Sequence, residues 1–218
     1  MTGIENYGLY FVSAFILTMT PGLDTVMVLN RSIAEGRRAG LLSALGVSLG
    51  LVAHTALAAF GLSMLLAQSE LAFSVMKYCG AAYLCYLGFT TLLASRGQGE
   101  PLAASLKVDK AARPAARGNG YYFLSALATN LLNPKVVLFF LAFFPQFISP
   151  GHMDDPVPYF VLGLTNAMQT VIWFTGLSLG ASLLAGRLLH SRAFKRWMDR
   201  CSGAVFFLMG VKLAFTER

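Results

Sequence analysis

Two short polar stretches interrupt hydrophobic sequence: Thr20-Pro21-Gly22-Leu23-Asp24, and Asn130-Leu131-Leu132-Asn133-Pro134-Lys135. One brings a carboxylate and the other an ammonium. Thr and Asn suit a helix N-cap, and proline is best tolerated at the first helical position. The residue before a proline is pushed out of the helical region, so one helix is expected to end and another to start at Pro21 and again at Pro134. Placed deep in a membrane, two half-helix N-termini with unpaired N–H groups would face the middle of the protein and attract anions. A lysine in the first turn opposes the helix dipole, so helix stability does not account for Lys135. Its ammonium could pair with Asp24, or hold a carboxylate together with the N–H groups beside Asn133. Asp24 could then take an amine or a proton, and a zwitterion such as an amino acid would match both poles.

Asp24 is the one acidic residue in the interior of a hydrophobic run. A charge there costs on the order of 2.5 to 3.5 kcal/mol, which favours a function over simple complementation of the restarted helix's positive end. Burial favours the neutral carboxyl and a nearby lysine the charged one. Where burial wins, Asp24 is a candidate proton carrier. His54 is a second candidate, although its place four residues past Gly50 on one helical face reads first as a hydrogen-bonded interior histidine. Asn166, Gln169, Thr170 and Trp173, at i, i+3, i+4 and i+7, form a polar and aromatic stripe expected to line a cavity wall.

The elements that must position these residues follow from composition. Of 218 residues 56% are hydrophobic and 12% charged, against about 25% charged in an average soluble protein. Runs long enough to cross a bilayer lie at about 7–30, 40–66, 71–94, 121–148, 157–186 and 199–216. An all-α integral membrane protein with six transmembrane helices is expected, the first and fourth broken at Pro21 and Pro134.

The net charge of +7 is not spread evenly. Arg31, Arg37 and Arg38 fall in the first loop, Arg96, Lys107, Lys110, Arg113 and Arg117 in the third, and Arg187, Arg192, Lys195, Arg196 and Arg200 in the fifth. Segments 1–6, 67–70 and 149–156 carry no Lys or Arg. By the positive-inside rule both termini lie outside and the basic loops in the cytoplasm. This placement argues against nucleic acid as a partner. No Lys or Arg precedes Arg31, so the first span is expected to stay in the mature protein rather than act as a cleaved signal.

Gly120-Tyr121-Tyr122-Phe123-Leu124-Ser125-Ala126 repeats Gly8-Leu9-Tyr10-Phe11-Val12-Ser13-Ala14, and each leads to a proline break. Cys79-Gly80-Ala81 with Gly88 is echoed by Ser202-Gly203-Ala204 with Gly210. The chain thus divides into a first three-helix repeat at 1–94, a basic cytoplasmic linker at 95–120 and a second three-helix repeat at 121–218. Because three is odd, the second copy crosses upside down, giving an inverted 3+3 repeat. Gly46 and Gly50 have the spacing that lets helices approach closely within one chain.

Cys79, Cys85 and Cys201 form no CxxC pair and read as small packing residues. The scattered His54, His152 and His190 make no metal-ligand set, and no cofactor is expected. No nucleophile, base and orienting group can be assembled in the spans, so an enzyme is not expected.

The sequence resembles the LysE/RhtB family of bacterial amino-acid exporters across essentially its whole length. The resemblance is carried by Thr20-Pro21-Gly22 with Asp24; by Gly36-Arg37-Arg38-Ala39-Gly40-Leu41 running into Ala44-Leu45-Gly46 and Gly50; by Gly80-Ala81-Ala82-Tyr83-Leu84 with Tyr86-Leu87-Gly88; and by Asn133-Pro134-Lys135 followed by Phe139-Phe140 and Phe144-Pro145-Gln146-Phe147. The second proline that the family commonly has in its PGP motif is replaced here by Leu23. The resemblance implies a six-span carrier of the bacterial inner membrane that exports amino acids from the cytoplasm, coupled to the proton-motive force. It also implies amino acid, protons and lipid as partners, with a homo-oligomer as an open expectation. A single interior carboxylate inclines the reading to neutral substrates such as homoserine, threonine or leucine-like compounds. The competing readings are a heavy-metal or other cation efflux carrier and a noncatalytic membrane assembly subunit.

Overall fold

The computed structural model describes residues 3–62, 70–96, 118–184 and 191–215. Most of the linker expected at 95–120, together with the outer turn near 67–69, Arg187, His190 and the C-terminal Thr216-Glu217-Arg218, lies outside the described residues. Within them the protein is all-helical, with one isolated bridge between Ile4 and Ile148.

Eight α-helices follow in order: α1 (Tyr7–Met19), α2 (Leu23–Ala34), α3 (Arg37–Leu57), α4 (Glu70–Arg96), α5 (Asn119–Leu131), α6 (Pro134–Phe143), α7 (Pro156–Leu184) and α8 (Arg192–Phe215). A π-turn, Ala58–Leu62, continues α3, and a 3₁₀ turn, Phe144–Phe147, continues α6. By length and composition Arg37–Gly61 and Pro156–Gly180 can each cross a membrane. The pairs α1–α2 and α5–α6 bend by 54° and 52° at their breaks, and each is apolar and long enough to count as a further span. This is a multi-pass membrane protein.

The two breaks are built differently. Asn133 is the N-cap of α6, its Oδ1 accepting from the Lys135 amide at 3.1 Å, with Pro134 in the first turn. Thr20, expected to cap α2, instead closes α1: its hydroxyl and its amide both donate to the Ile16 carbonyl, at 3.0 and 3.2 Å. The residue capping α2 is Gly22, which adopts an extended conformation (φ −152°, ψ −169°) and makes no side-chain cap. The chain runs on extended past Pro21 through Gly22, and α2 restarts at Leu23.

Glycines set the helix contacts. A Cβ on Gly46 would strike the Phe123 carbonyl and Ala126 of α5. Between α4 and α8, a Cβ on Gly88 would lie 2.8 Å from the Gly203 carbonyl, and one on Gly210 would lie 2.8 Å from the Cys85 amide. The core at one end is aromatic: Tyr10 packs among Phe143, Phe144 and Phe147, and its hydroxyl donates to the Leu162 carbonyl at 2.7 Å. A second cluster joins Val28, Ala44, Val47, Ala126 and Phe174. Asp24 is not the only acidic residue within the expected runs. Asp199, at the start of the sixth and in the basic first turns of α8, is buried and paired with Lys195 at 2.8 Å.

Candidate functional site

Both breaks open onto one cavity of about 80 Å³. A water needs roughly 10 to 15 Å³ of such space, so the cavity has room for a small solute or several waters. Thr20, Gly22 and Asp24 line it from the first break, and Asn130, Asn133 and Lys135 from the second. Asn166 and Thr170 face it from α7, and Thr18 from α1. Thr25 of α2 also lines it, and the rest of the wall is apolar, including Leu17, Val47, Leu51, Phe139, Phe174 and Phe206.

Asp24 sits in the first turn of α2 and is held from the opposite half of the chain. Its Oδ2 accepts from Asn130 Nδ2 at 2.9 Å and from Asn133 Nδ2 at 3.3 Å. Its Oδ1 is buried and has no hydrogen-bond partner. A buried carboxylate oxygen left in this way lacks stabilisation that a bound donor would supply.

Lys135 reaches the same cavity from α6, its Nζ 5.7 Å from the centre of the Phe206 ring. The ammonium would be 3.6 Å from a Cβ at Gly22. Among the described residues it forms no contact ion pair with Asp24; the pair Lys195–Asp199 is elsewhere. The α6 N-terminus is already closed by Asn133, whereas α2 has no side-chain cap. Helix geometry leaves the first amides of α2 without intrahelical acceptors, beside the Lys135 ammonium.

The remaining candidates fall around the cavity rather than on it. His54 is buried, stacks against Phe140 and places Nε2 3.3 Å from the Asn130 carbonyl. Pro21 and Pro134 lie at the breaks and do not line the space. Along α7 the cavity face is Asn166, Thr170 and Phe174, at i, i+4 and i+8. Gln169 and Trp173 turn toward α1, where the Gln169 amide donates to the Phe11 carbonyl at 2.9 Å and Trp173 meets the Phe15 ring. The wall residues Thr18, Val47, Leu51, Phe174 and Phe206 do not stand out in the sequence. Thr18 alone carries a sign: its hydroxyl donates to Asn166 Oδ1 at 3.1 Å, one polar group in an apolar helix meeting another.

No metal-binding group of three or more His, Cys, Asp or Glu occurs among the described residues. The arrangement offers a cation, an uncapped helix end and a free carboxylate oxygen, which together can bind a small dipolar solute.

The family model described as LysE type translocator matches residues 15–217. The homoserine/homoserine lactone efflux protein of Salmonella typhimurium is 31% identical over 205 residues, 94% of each chain. The protein of the same name from Salmonella typhi is also 31% identical over 94% of each chain. An uncharacterized membrane protein of Vibrio cholerae serotype O1 is 32% identical over 206 residues, again 94% of each. No solved structure matches the chain.

Proposed function

The chain belongs to the family of LysE type translocators, and from that premise we propose that it exports small neutral amino acids, such as homoserine, threonine or leucine-like compounds, from the cytoplasm by proton antiport. The observation that carries the reading is the cavity in which Asp24 keeps a free carboxylate oxygen near Lys135 without contact pairing. The substrate carboxylate sits on the Lys135 ammonium and the first amides of α2. Its amine donates to Asp24 Oδ1. With Asn133 engaged as the α6 cap, the carboxylate is better served at Gly22 than beside Asn133.

Coupling follows from exclusive occupancy. Asp24 holds either the substrate's ammonium or a proton, so a proton entering from outside displaces the ammonium there, and substrate binding from the cytoplasm releases that proton inside. The wall beyond the two poles is apolar with hydroxyl and amide groups from Thr18, Thr25, Asn166 and Thr170, and offers a second cationic group no carboxylate. That supports neutral over dibasic substrates.

The wider architecture is proposed in the same terms. The bent pairs α1–α2 and α5–α6 are each one broken span; α4 and α8 also cross, making six spans in an inverted 3+3 repeat divided at the 95–120 linker. The chain lies in a bacterial inner membrane with both termini outside, and crosslinking in that membrane tests for homo-oligomers. The family's members are transporters rather than enzymes, and no catalytic role is assigned.

The test is transport in inverted vesicles with a panel of labelled amino acids. Uptake of neutral amino acids, driven by an acidic lumen and abolished by a protonophore, is the expected result. Metal uptake without amino-acid uptake, or uptake indifferent to the gradient, overturns the proposal.

A further inference from the structure

Asn130 is completely buried, and its side chain is held by groups from other helices. Its Nδ2 donates to Asp24 of α2 at 2.9 Å. Its Oδ1 has no hydrogen-bond partner and rests against Gly50 of α3, where a Cβ would overlap the amide oxygen and lie 2.9 Å from Asn130 Cβ and Cγ. Its backbone carbonyl, one of the last in α5, accepts from the Asn133 amide at 3.1 Å and faces His54 Nε2 at 3.3 Å. A carbonyl oxygen only accepts, so the proton of a neutral His54 is on Nε2. Gly50 and His54 are one helical turn apart on the same face of α3.

We infer that Gly50 and His54 are positioning residues: Gly50 leaves room for the Asn130 side chain and His54 holds its backbone carbonyl, so that together they clamp Asn130 with its amide in reach of Asp24, whose carboxylate takes the NH₂ edge. Gly50 makes room for the oxygen, and His54 holds the end of the broken helix. Turned the other way, the amide would bring an oxygen against the carboxylate. The clamp fixes the Asp24 carboxylate with Oδ1 free toward the cavity. It therefore sets substrate affinity, although neither residue lines the cavity. This inference rests on the proposed binding of the substrate amine by Asp24, and it assigns His54 a hydrogen-bonding duty in place of proton transfer.

The experiment is uptake of labelled homoserine into inverted vesicles, with KM and maximal rate measured separately and normalised to membrane abundance. Gly50→Ala is expected to raise KM about tenfold, as loss of one hydrogen bond to a charged group would. It is expected to change the maximal rate much less. In an Asn130→Ala background the same substitution is expected to add nothing further to KM, since its effect passes through Asn130. His54→Leu is expected to raise KM likewise, and His54→Gln, which keeps an N–H donor, to recover most of that loss with proton coupling intact.

An unchanged KM in Gly50→Ala, equal effects of Gly50→Ala with and without Asn130, or a His54→Gln as defective as His54→Leu would overturn the clamp. Should Gly50→Ala fail to reach the membrane, the His54 pair, measured with and without Asn130→Ala, decides alone. Asp24→Asn in the same assay separates the two levels. Wild-type KM there removes the amine site and the clamp with it, whereas a raised KM with an unaffected Gly50→Ala removes only the clamp.

Discussion

Asn130 and Asp24 meet across the two helix breaks, the amide of one half of the chain donating to the carboxylate of the other at 2.9 Å. The donation satisfies Oδ2 and leaves Oδ1, buried and without a partner, as the oxygen available to a ligand. Two interruptions far apart in sequence are thereby joined into one site, and each half supplies what the other lacks.

Replacing that carboxylate by an amide should remove the ammonium contact while conserving shape. Asp24→Asn is expected to reach the membrane at normal abundance and to raise KM for neutral amino acids roughly 10- to 100-fold, the range for one charge-assisted hydrogen bond. It is also expected to lose accumulation against a gradient. Uptake in inverted vesicles checks both, and retained gradient-driven accumulation would exclude Asp24 as the proton's carrier.

Lys135 offers a finer test, because homoserine has a carboxylate and homoserine lactone does not. Lys135→Met keeps the length and apolar stem but removes the ammonium near Gly22. It is expected to weaken homoserine uptake about tenfold while changing inhibition of uptake by the carboxylate-free lactone, added as an analogue, much less. Competition of each compound against the other in one vesicle preparation gives the ratio directly. Equal losses for both would place the substrate carboxylate elsewhere.

How far the site could be read from sequence depends on contrast. Asp24, Asn130, Asn133 and Lys135 are polar groups in apolar runs beside prolines, and such contrast is visible without a structure. Phe206 and Val47 are ordinary residues of apolar helices, and only the packing of α8 and α3 decides that they face the cavity. Along α7, i+3 and i+4 flank position i on opposite sides, about 100° apart, and the sequence does not say on which side the cavity lies. The sequence therefore groups Gln169 and Trp173 with Asn166 and Thr170, while the actual face runs through Phe174. The restart of α2 at Leu23 is obscured for another reason: Thr20 before proline suits an N-cap, but its hydroxyl finds the carbonyl of Ile16 behind it.

The α4–α8 contact should depend on small residues at named points. A Cβ on Gly88 would fall 2.5 Å from the Phe207 amide nitrogen, and no flexible side-chain end is there to yield. Gly88→Val is expected to lower stability by about 1 to 3 kcal/mol through overpacking. Gly176, also helical, has open space around it, with nothing within 4 Å of where a Cβ would stand. Gly176→Ala is therefore expected to be neutral or stabilising by up to about 1 kcal/mol. Thermal melts of the two variants in one detergent make the comparison, and similar melting temperatures would mean that the glycine contact between α4 and α8 is not tight.

Arg31 ties three helices together at the basic end of α2. Its Nη1 donates to Ser43 Oγ of α3 and to the Tyr122 carbonyl of α5, and its Nη2 to Ser125 Oγ, each at 2.9 Å. The guanidinium also lies 5.7 and 5.9 Å from the rings of Tyr121 and Tyr122. Lysine conserves the charge but concentrates its donors at one point, so it cannot span the hydroxyls of two helices or stack as a plane. Arg31→Lys is therefore expected to cost about 1.5 to 3 kcal/mol, the worth of a hydrogen bond to a charged group. If this seam also closes the cavity from the basic side, a cysteine placed at the cavity-lining Thr25 should react faster with a membrane-impermeant maleimide added to inverted vesicles when Arg31 is lysine. A melting temperature and labelling rate both equal to the parent's would show that the fork binds α2 to its neighbours no better than a point charge does.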